Sequence, residues 1–232
     1  MSKKQQYCLG LRTGLPVILG FVPVGIAYAI MAGQAGLTVA ETIQMSVFVF
    51  AGASQMMAVG MLAQGAGVVA ILLATFILNL RHLIMSTCAV NRMKRTTTGF
   101  RLLAMFGVTD ESFAIYTTME EENCSVWFFL GLITVTYSSW VAGTTIGAFA
   151  SGILPQLVTD SLGIALYAMF IALLIPNVKH NFRLGLLVVM TALVNMGLQQ
   201  VMASSWALIV ATLVCAALGA FLVDEKAEEA KQ

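Results

Sequence analysis

Apolar segments near the length that crosses a bilayer recur along this chain, at residues 15–31, 43–62, 68–90, 126–149, 162–175, 184–198 and 206–223. A transmembrane helix needs about 20 apolar residues, and within the hydrocarbon core the backbone must satisfy its own hydrogen bonds. The chain therefore reads as an all-α polytopic membrane protein. Its composition agrees: 59% hydrophobic residues, 10% charged and a mean hydropathy of +0.90, where a soluble domain carries about 25% charged residues. One transmembrane domain over residues 1–232 is expected, ending in a short charged tail at 224–232. Lys3-Lys4 and the apolar run to Ala27-Tyr28-Ala29 resemble a signal peptide, but the first spanning helix of a polytopic protein looks the same.

Several classes fall away. The net charge is +1, and no basic, aromatic-interleaved patch offers a surface to nucleic acid. Cys8, Cys88, Cys124 and Cys215 have no CxxC spacing, so they read as packing residues and not as a metal or disulfide framework. No metal and no cofactor is expected.

An eighth stretch, 100–119, is apolar apart from Thr109-Asp110-Glu111-Ser112. Basic residues concentrate in cytoplasmic loops. Here they cluster at Lys3, Lys4 and Arg12, at Arg92, Lys94, Arg95 and Arg101, and at Lys179 and Arg183, whereas Glu120-Glu121-Glu122 is purely acidic. With every basic cluster inside, 100–119 crosses outward, while 43–62 and 162–175 enter and return on one side. In the competing topology those two cross and 100–119 stays at the surface. Both begin from a cytoplasmic N-terminus.

Internal symmetry is also visible. Ala32-Gly33 through Glu41 to Phe48 resembles Ala150-Ser151 through Asp160 to Tyr167, with Glu41 and Asp160 offset by 119 residues. An acidic residue at a helix start suits the macrodipole. Repeats over 14–90 and 126–200 are the expectation, inverted under the first topology. That plan recurs in transporters with discontinuous helices.

Candidate functional residues follow from polarity at membrane depth. Pro23 and Pro176 are expected helix breaks, freeing backbone groups. Gly52, Ala53, Ser54 and Gln55 form a small and polar string expected to unwind and bind a polar ligand end, with Phe50, Met56 and Met57 as an adaptable apolar wall. Small-residue packing is the plainer alternative. Thr75, Asn79, His82 and Ser86 share one helix face, while Arg81 points elsewhere. Arg81 lies about 16 Å along a helix from Arg92, and Asp110 about 13 Å from Arg101, so the two reach similar depth. Arg81 is expected to pair with Asp110 or Glu111, the other carboxylate carrying a proton or meeting substrate. Gly143, Gly147 and Ser151, and likewise Ala211, Cys215 and Gly219, form small-residue packing ladders.

The ordered set Phe50-Ala51-Gly52-Ala53-Ser54-Gln55, Asn79-Leu80-Arg81-His82 and Thr109-Asp110-Glu111 resembles the AzlC/YgaZ family of bacterial inner-membrane proteins, over residues 14–223. The resemblance implies the large subunit of a two-component branched-chain amino acid exporter. It further implies a much smaller AzlD/YgaH-like membrane partner.

The leading reading is export of a hydrophobic amino acid driven by the proton gradient. Backbone N–H groups near Gly52–Ser54, or Arg81, suit its carboxylate, and Asp110 or Glu111 suits the ammonium or the proton. A passive channel or structural subunit is the alternative, without a charge ring or filter in its favour. An intramembrane hydrolase pairing Ser54 with His82 or His180 lacks both HExxH and a GxSxG elbow.

Overall fold

The computed structural model describes residues 1–93, 97–119, 124–151 and 182–222, with 171, 174, 175, 178 and 179. The segment 162–175 for the most part, Asp160, Pro176, His180, the acidic run 120–122 and the tail 224–232 lie outside the described residues. Among the described residues there are nine helices: α1 Lys3–Gln34, α2 Val39–Val49, α3 Gly52–Ala63, α4 Val68–Arg92, α5 Thr98–Phe106, α6 Asp110–Thr118, α7 Val126–Ala150, α8 Phe182–Leu198 and α9 Ser204–Leu222. Three of them, α1, α4 and α7, are long and apolar enough to cross a membrane. The chain forms two compact units, one from Met1–Gln64 and Leu78–Leu166, the other from Gly65–Ile77 and Tyr167–Gln232.

The first unit is built on a seam between α1 and α7. A methyl group added at Gly10 would strike the Phe128 carbonyl, and one at Gly131 the Tyr7 carbonyl. At Gly147 it would lie 2.7 Å from the Ile26 backbone. Only glycine allows this approach, which is what small-residue ladders achieve where lipid removes the hydrophobic drive. The Gly143, Gly147, Ser151 ladder is thus an internal packing face.

Direction along the seam is unambiguous. Gly10 meets Phe128, Gly14 meets Leu132, Gly25 meets Trp140 and Thr144, and Gly33 meets Ser151. The numbers rise together, so α1 and α7 run parallel. This corrects the expected inversion: the first helices of the two candidate repeats point the same way. It also overturns both expected topologies, each of which made α7 antiparallel to α1.

The stretch 100–119 explains the difference. It is two half-helices of nine residues each, α5 and α6, each about 13 Å long. Phe100 lies against Trp127 at the start of α7 with the rings tilted (5.0 Å between ring centroids), and Phe106 reaches Tyr137 halfway along it (6.1 Å). The chain then turns at Gly107, where a Cβ would press on Ile133 at 2.7 Å. Descending α6 brings Tyr116 to 4.9 Å from Phe129. The Met119 carbonyl and Cys124 finally receive Arg92, at 2.8 and 3.7 Å. The stretch dips to mid-bundle and returns to its own end.

Segment 43–62 is also broken. Helix α2 descends beside α7, Ser46 meeting the Thr144 hydroxyl at 2.8 Å and Val47 accepting from Tyr137 at 2.9 Å. It stops at Phe50, whose left-handed φ of 43° ends the helix. Such a conformation costs about 1–3 kcal/mol at a non-glycine residue. Buried ring contacts to Tyr137 (5.0 Å) and Phe106 (6.5 Å) hold it. Helix α3 restarts at Gly52 and leads into α4, whose Asn79, His82 and Arg92 meet partners at successively earlier levels of α7. That order runs from Ser54 near Trp140, through Val108 near Ile133, to Cys124. Helix α4 is therefore antiparallel to α7, and the α2–α3 hairpin enters from the opposite end to α5–α6.

Pro23 does not break its helix. Helix α1 continues from Lys3 to Gln34 through both Pro16 and Pro23. The lost backbone bond is tolerated because the α7 seam braces α1 on both sides of Pro23, at Val22 and at Gly25.

In the second unit α8 and α9 pair antiparallel. Leu187 fills the space at Gly219, and Thr191 and Asn195 line a cavity of about 310 Å³ with Leu208, Ala211 and Thr212.

Candidate functional site

Two hairpin tips, one from each end of the first unit, converge on a single turn of α4, residues 79–82. Phe50 and Phe106 link them, with Tyr137 of α7 between.

At the α5–α6 tip, Arg81 Nη1 meets Asp110 Oδ2 at 2.7 Å. This is the expected ion pair, and Asp110 is the carboxylate that makes it. The pair is not sealed, with side chains 36% and 38% exposed. Asp110 opens α6 just after the capping box of Thr109 and Ser112, where a carboxylate suits the helix dipole. Glu111 follows it and has no ion pair among the described residues. His82 Nδ1 lies 2.9 Å from the Val108 carbonyl, one residue before the cap.

At the α2–α3 tip the polar groups are closed on one another. Gln55, wholly buried, donates through Nε2 to Ser46 (3.0 Å). Its Oε1 accepts from Trp140 Nε1 (3.2 Å) and the Ala51 N–H (3.3 Å). The amide of Gln55, a residue expected to touch a ligand, braces the break through these bonds. Ser54 donates to the Ala51 carbonyl (2.9 Å) and accepts from Asn79 Nδ2 (3.1 Å). No hydrogen bond joins Ser54 to His82, and His180 lies outside the described residues. The N–H groups of Gly52, Ala53 and Ser54 occupy the first turn of α3, where no side chain caps them. Gly52 is required here, since a Cβ would come within 2.7 Å of the Trp140 ring.

Among the polar stripe of α4, Thr75 turns back onto the Ile71 and Leu72 carbonyls. Asn79 and His82 reach other elements. Three atoms at this turn are shielded from solvent and have no hydrogen-bond partner among the described residues: Asn79 Oδ1, Arg81 Nε and His82 Nε2. A buried polar atom left unpaired costs roughly 1–3 kcal/mol, so three within four residues mark a place made for something else. Met56 is buried and Met57 half-buried in α3, beside the tip.

Sequence reading missed Ser46, Thr144, Tyr137, Trp140 and the Val108 carbonyl. The first four are ordinary residues of apolar helices, and their roles appear only when α2 and α3 fold against α7. No group of three or more metal-ligating side chains occurs among the described residues.

Parallel glycine-seamed helices, two hairpins dipping from opposite ends and a charged turn between their tips define a polytopic helical membrane protein with an internal polar site. Comparison with known proteins gives the family. The model described as "AzlC protein" matches residues 16–154, and this chain belongs to the AzlC family, which places it among membrane transport proteins. It is 30% identical to the "branched-chain amino acid transport protein AzlC" of Bacillus subtilis, over 76% of this chain and 71% of that one. It is 31% identical to the "inner membrane protein YgaZ" of Escherichia coli (74% and 73%). It is 34% identical to an uncharacterized membrane protein of Archaeoglobus fulgidus (77% and 79%). No solved structure matches.

Proposed function

We propose that the chain exports branched-chain or other hydrophobic amino acids, coupled to protons, together with a small AzlD-like membrane partner. The observation that carries this reading is the convergence of both hairpin tips on Asn79, Arg81 and His82 beside the Arg81–Asp110 pair. The name of the Bacillus relative supports the substrate class.

Each end of the substrate finds suitable chemistry. Uncapped N–H groups at Gly52–Ser54 and the unpaired Arg81 Nε suit a carboxylate. Buried Phe50 and Met56 suit a branched side chain. Asp110 is held by Arg81, leaving Glu111 as the carboxylate for a coupling proton.

The N-terminal end is assigned to the cytoplasm of a bacterial cell. Lys3 sits over Trp127 (5.4 Å), and Arg92 and the first turn of α5, with Arg101, share that end of the unit. Basic residues favour the cytoplasmic side.

Sealed vesicles holding the chain and its small partner test both points. Leucine or valine efflux should follow an imposed pH gradient and vanish in Asp110→Asn/Glu111→Gln, and an impermeant thiol reagent should reach Thr97→Cys from the side that exposes Ser2. Full efflux in the double variant would reject the proton role. Unitary currents in a clamped bilayer would favour a passive channel instead.

A further inference from the structure

We propose that Asn79 Oδ1 and His82 Nε2 form an acceptor-only half-site that takes the N–H donors of the substrate's ammonium group, which fixes the orientation of the amino acid. The inference rests on the export reading above and assigns the end of the substrate that faces α4.

The polarity of both atoms follows from their neighbours. The Ser54 hydroxyl has one hydrogen, and it points at the Ala51 carbonyl, 2.9 Å away. A carbonyl oxygen only accepts, so Ser54 Oγ presents a lone pair to Asn79. What meets that lone pair at 3.1 Å must be a donor, the Nδ2 amide of Asn79. This settles which way the amide points and leaves Oδ1 as the free atom, shielded and without a donor. His82 repeats the logic. Its Nδ1 lies 2.9 Å from the Val108 carbonyl, which can only accept, so Nδ1 carries the hydrogen. An uncharged imidazole has one N–H, and imidazole is ordinarily uncharged above about pH 7. Nε2 is then a bare lone pair, likewise shielded and unpartnered.

The two atoms belong to residues three apart on α4, which share a face. Each is locked by a different hairpin: Asn79 by the α2–α3 tip, His82 by the α5–α6 tip. Two buried acceptors with no donor repel a carboxylate and suit an ammonium, which brings three N–H bonds. The carboxylate then falls to donors elsewhere, the first turn of α3 or Arg81 Nε. Asp110, already paired with Arg81, need not bind the ammonium. Glu111 is left free for the proton, so substrate and proton need not compete for one carboxylate.

Two variants separate this polarity from general damage. His82→Asn keeps an amide N–H where Nδ1 stood, able to hold the Val108 carbonyl, but has no atom at the Nε2 position. Asn79→Asp replaces a neutral acceptor by an anionic one, and the Ser54 hydroxyl can turn to donate to it. Binding is measured on the full chain together with its small membrane partner in lipid nanodiscs at about pH 7.5, where imidazole is ordinarily uncharged. Labelled leucine competes with 3-methylbutylamine, which lacks the carboxylate, and with 4-methylpentanoate, which lacks the ammonium. His82→Asn should weaken leucine and the amine roughly tenfold and leave the acid unchanged, while Asn79→Asp should tighten the amine by a similar factor. Variants that weaken the acid and spare the amine, or move both analogues alike, or change nothing while leucine still binds, overturn the half-site and leave export standing. Failure of the unmodified chain to bind leucine at all removes the export reading and the half-site with it.

Discussion

The two hairpin tips reach the same turn of α4 from opposite ends, yet they are built to opposite rules. At the α2–α3 tip Gln55, Ser46, Ser54, Trp140 and the Ala51 backbone satisfy one another in a buried cluster. At the α5–α6 tip a partly exposed ion pair, a Glu111 outside that pair and the His82 ring stand beside hydrogen-bonding atoms without partners among the described residues. A closed network fixes geometry, because breaking any member strands the others. An open set of charges can change partners. The side chains of the first tip thus serve as a pin that holds its open backbone N–H groups in place, and the second tip is the moving or reacting part. Both are needed, since a site that exchanges protons and substrate requires a fixed frame beside the groups that change partners.

The largest expected effect lies at the pin. Gln55→Leu strands Trp140 Nε1 and the Ala51 N–H in a fully buried place, at about 1–3 kcal/mol for each stranded group. Melting in detergent should fall by several degrees, and efflux should fall only in proportion to folded protein. A Gln55→Leu protein with wild-type melting and no efflux would reverse the assignment, making the Gln55 amide itself a ligand contact.

A smaller effect is expected at the working tip. Arg81→Met leaves Asp110 without its partner, but the pair is more than a third exposed, so its stability share is roughly 0.2–1 kcal/mol where water reaches it. Adding Asp110→Asn should recover that loss while efflux stays absent. Recovery of efflux in the double variant would show the pair to be structural, and the contrast between the tips would collapse.

How much of this could be read from residues alone divides along the same line. Arg81 pairing with Asp110 followed from two helix distances, because charge in an apolar run demands a partner at equal depth. The break near Gly52 followed from small residues, although it falls at Phe50, where a left-handed bulky residue has no sequence signature. The direction of α7 was out of reach. Topology was inferred by counting crossings, and 100–119 has the length of one crossing but turns back at Gly107. What turns it is Ile133, whose side chain occupies the space where a Cβ at Gly107 would sit. The bracing by Gln55 was out of reach for a similar reason. An amide in mid-segment looks available until Trp140 and Ser46, far apart in the sequence, close on it.

The smallest expected effect compares how the two hairpins begin their helices. Helix α2 starts with Thr38 and Glu41 in a capping box, the carboxylate accepting from the Thr38 N–H at 2.8 Å and from its hydroxyl at 2.7 Å. Helix α6 starts with Thr109 and Ser112, the same reciprocal box closed by a neutral hydroxyl. Those hydrogen bonds from Thr38, backbone first and side chain second, hold the Glu41 carboxyl below its ordinary range. A carboxyl lowered in the folded state stabilises above its unfolded pKa, and that contribution is lost as pH falls through the folded value. Acidification should therefore loosen the start of α2, whereas the α6 box has no charge of its own to lose once Asp110 and Glu111 beside it are neutralised. In an Asp110→Asn/Glu111→Gln background, amide hydrogen exchange, corrected for the intrinsic pH dependence of the rate, should show Thr42 losing protection on acidification while Phe113 holds. Glu41→Gln, which keeps an acceptor without a charge, should abolish the difference. Equal loss at both helix starts would mean that acid acts on the bundle as a whole, and that the charge chosen to cap α2 has no local consequence.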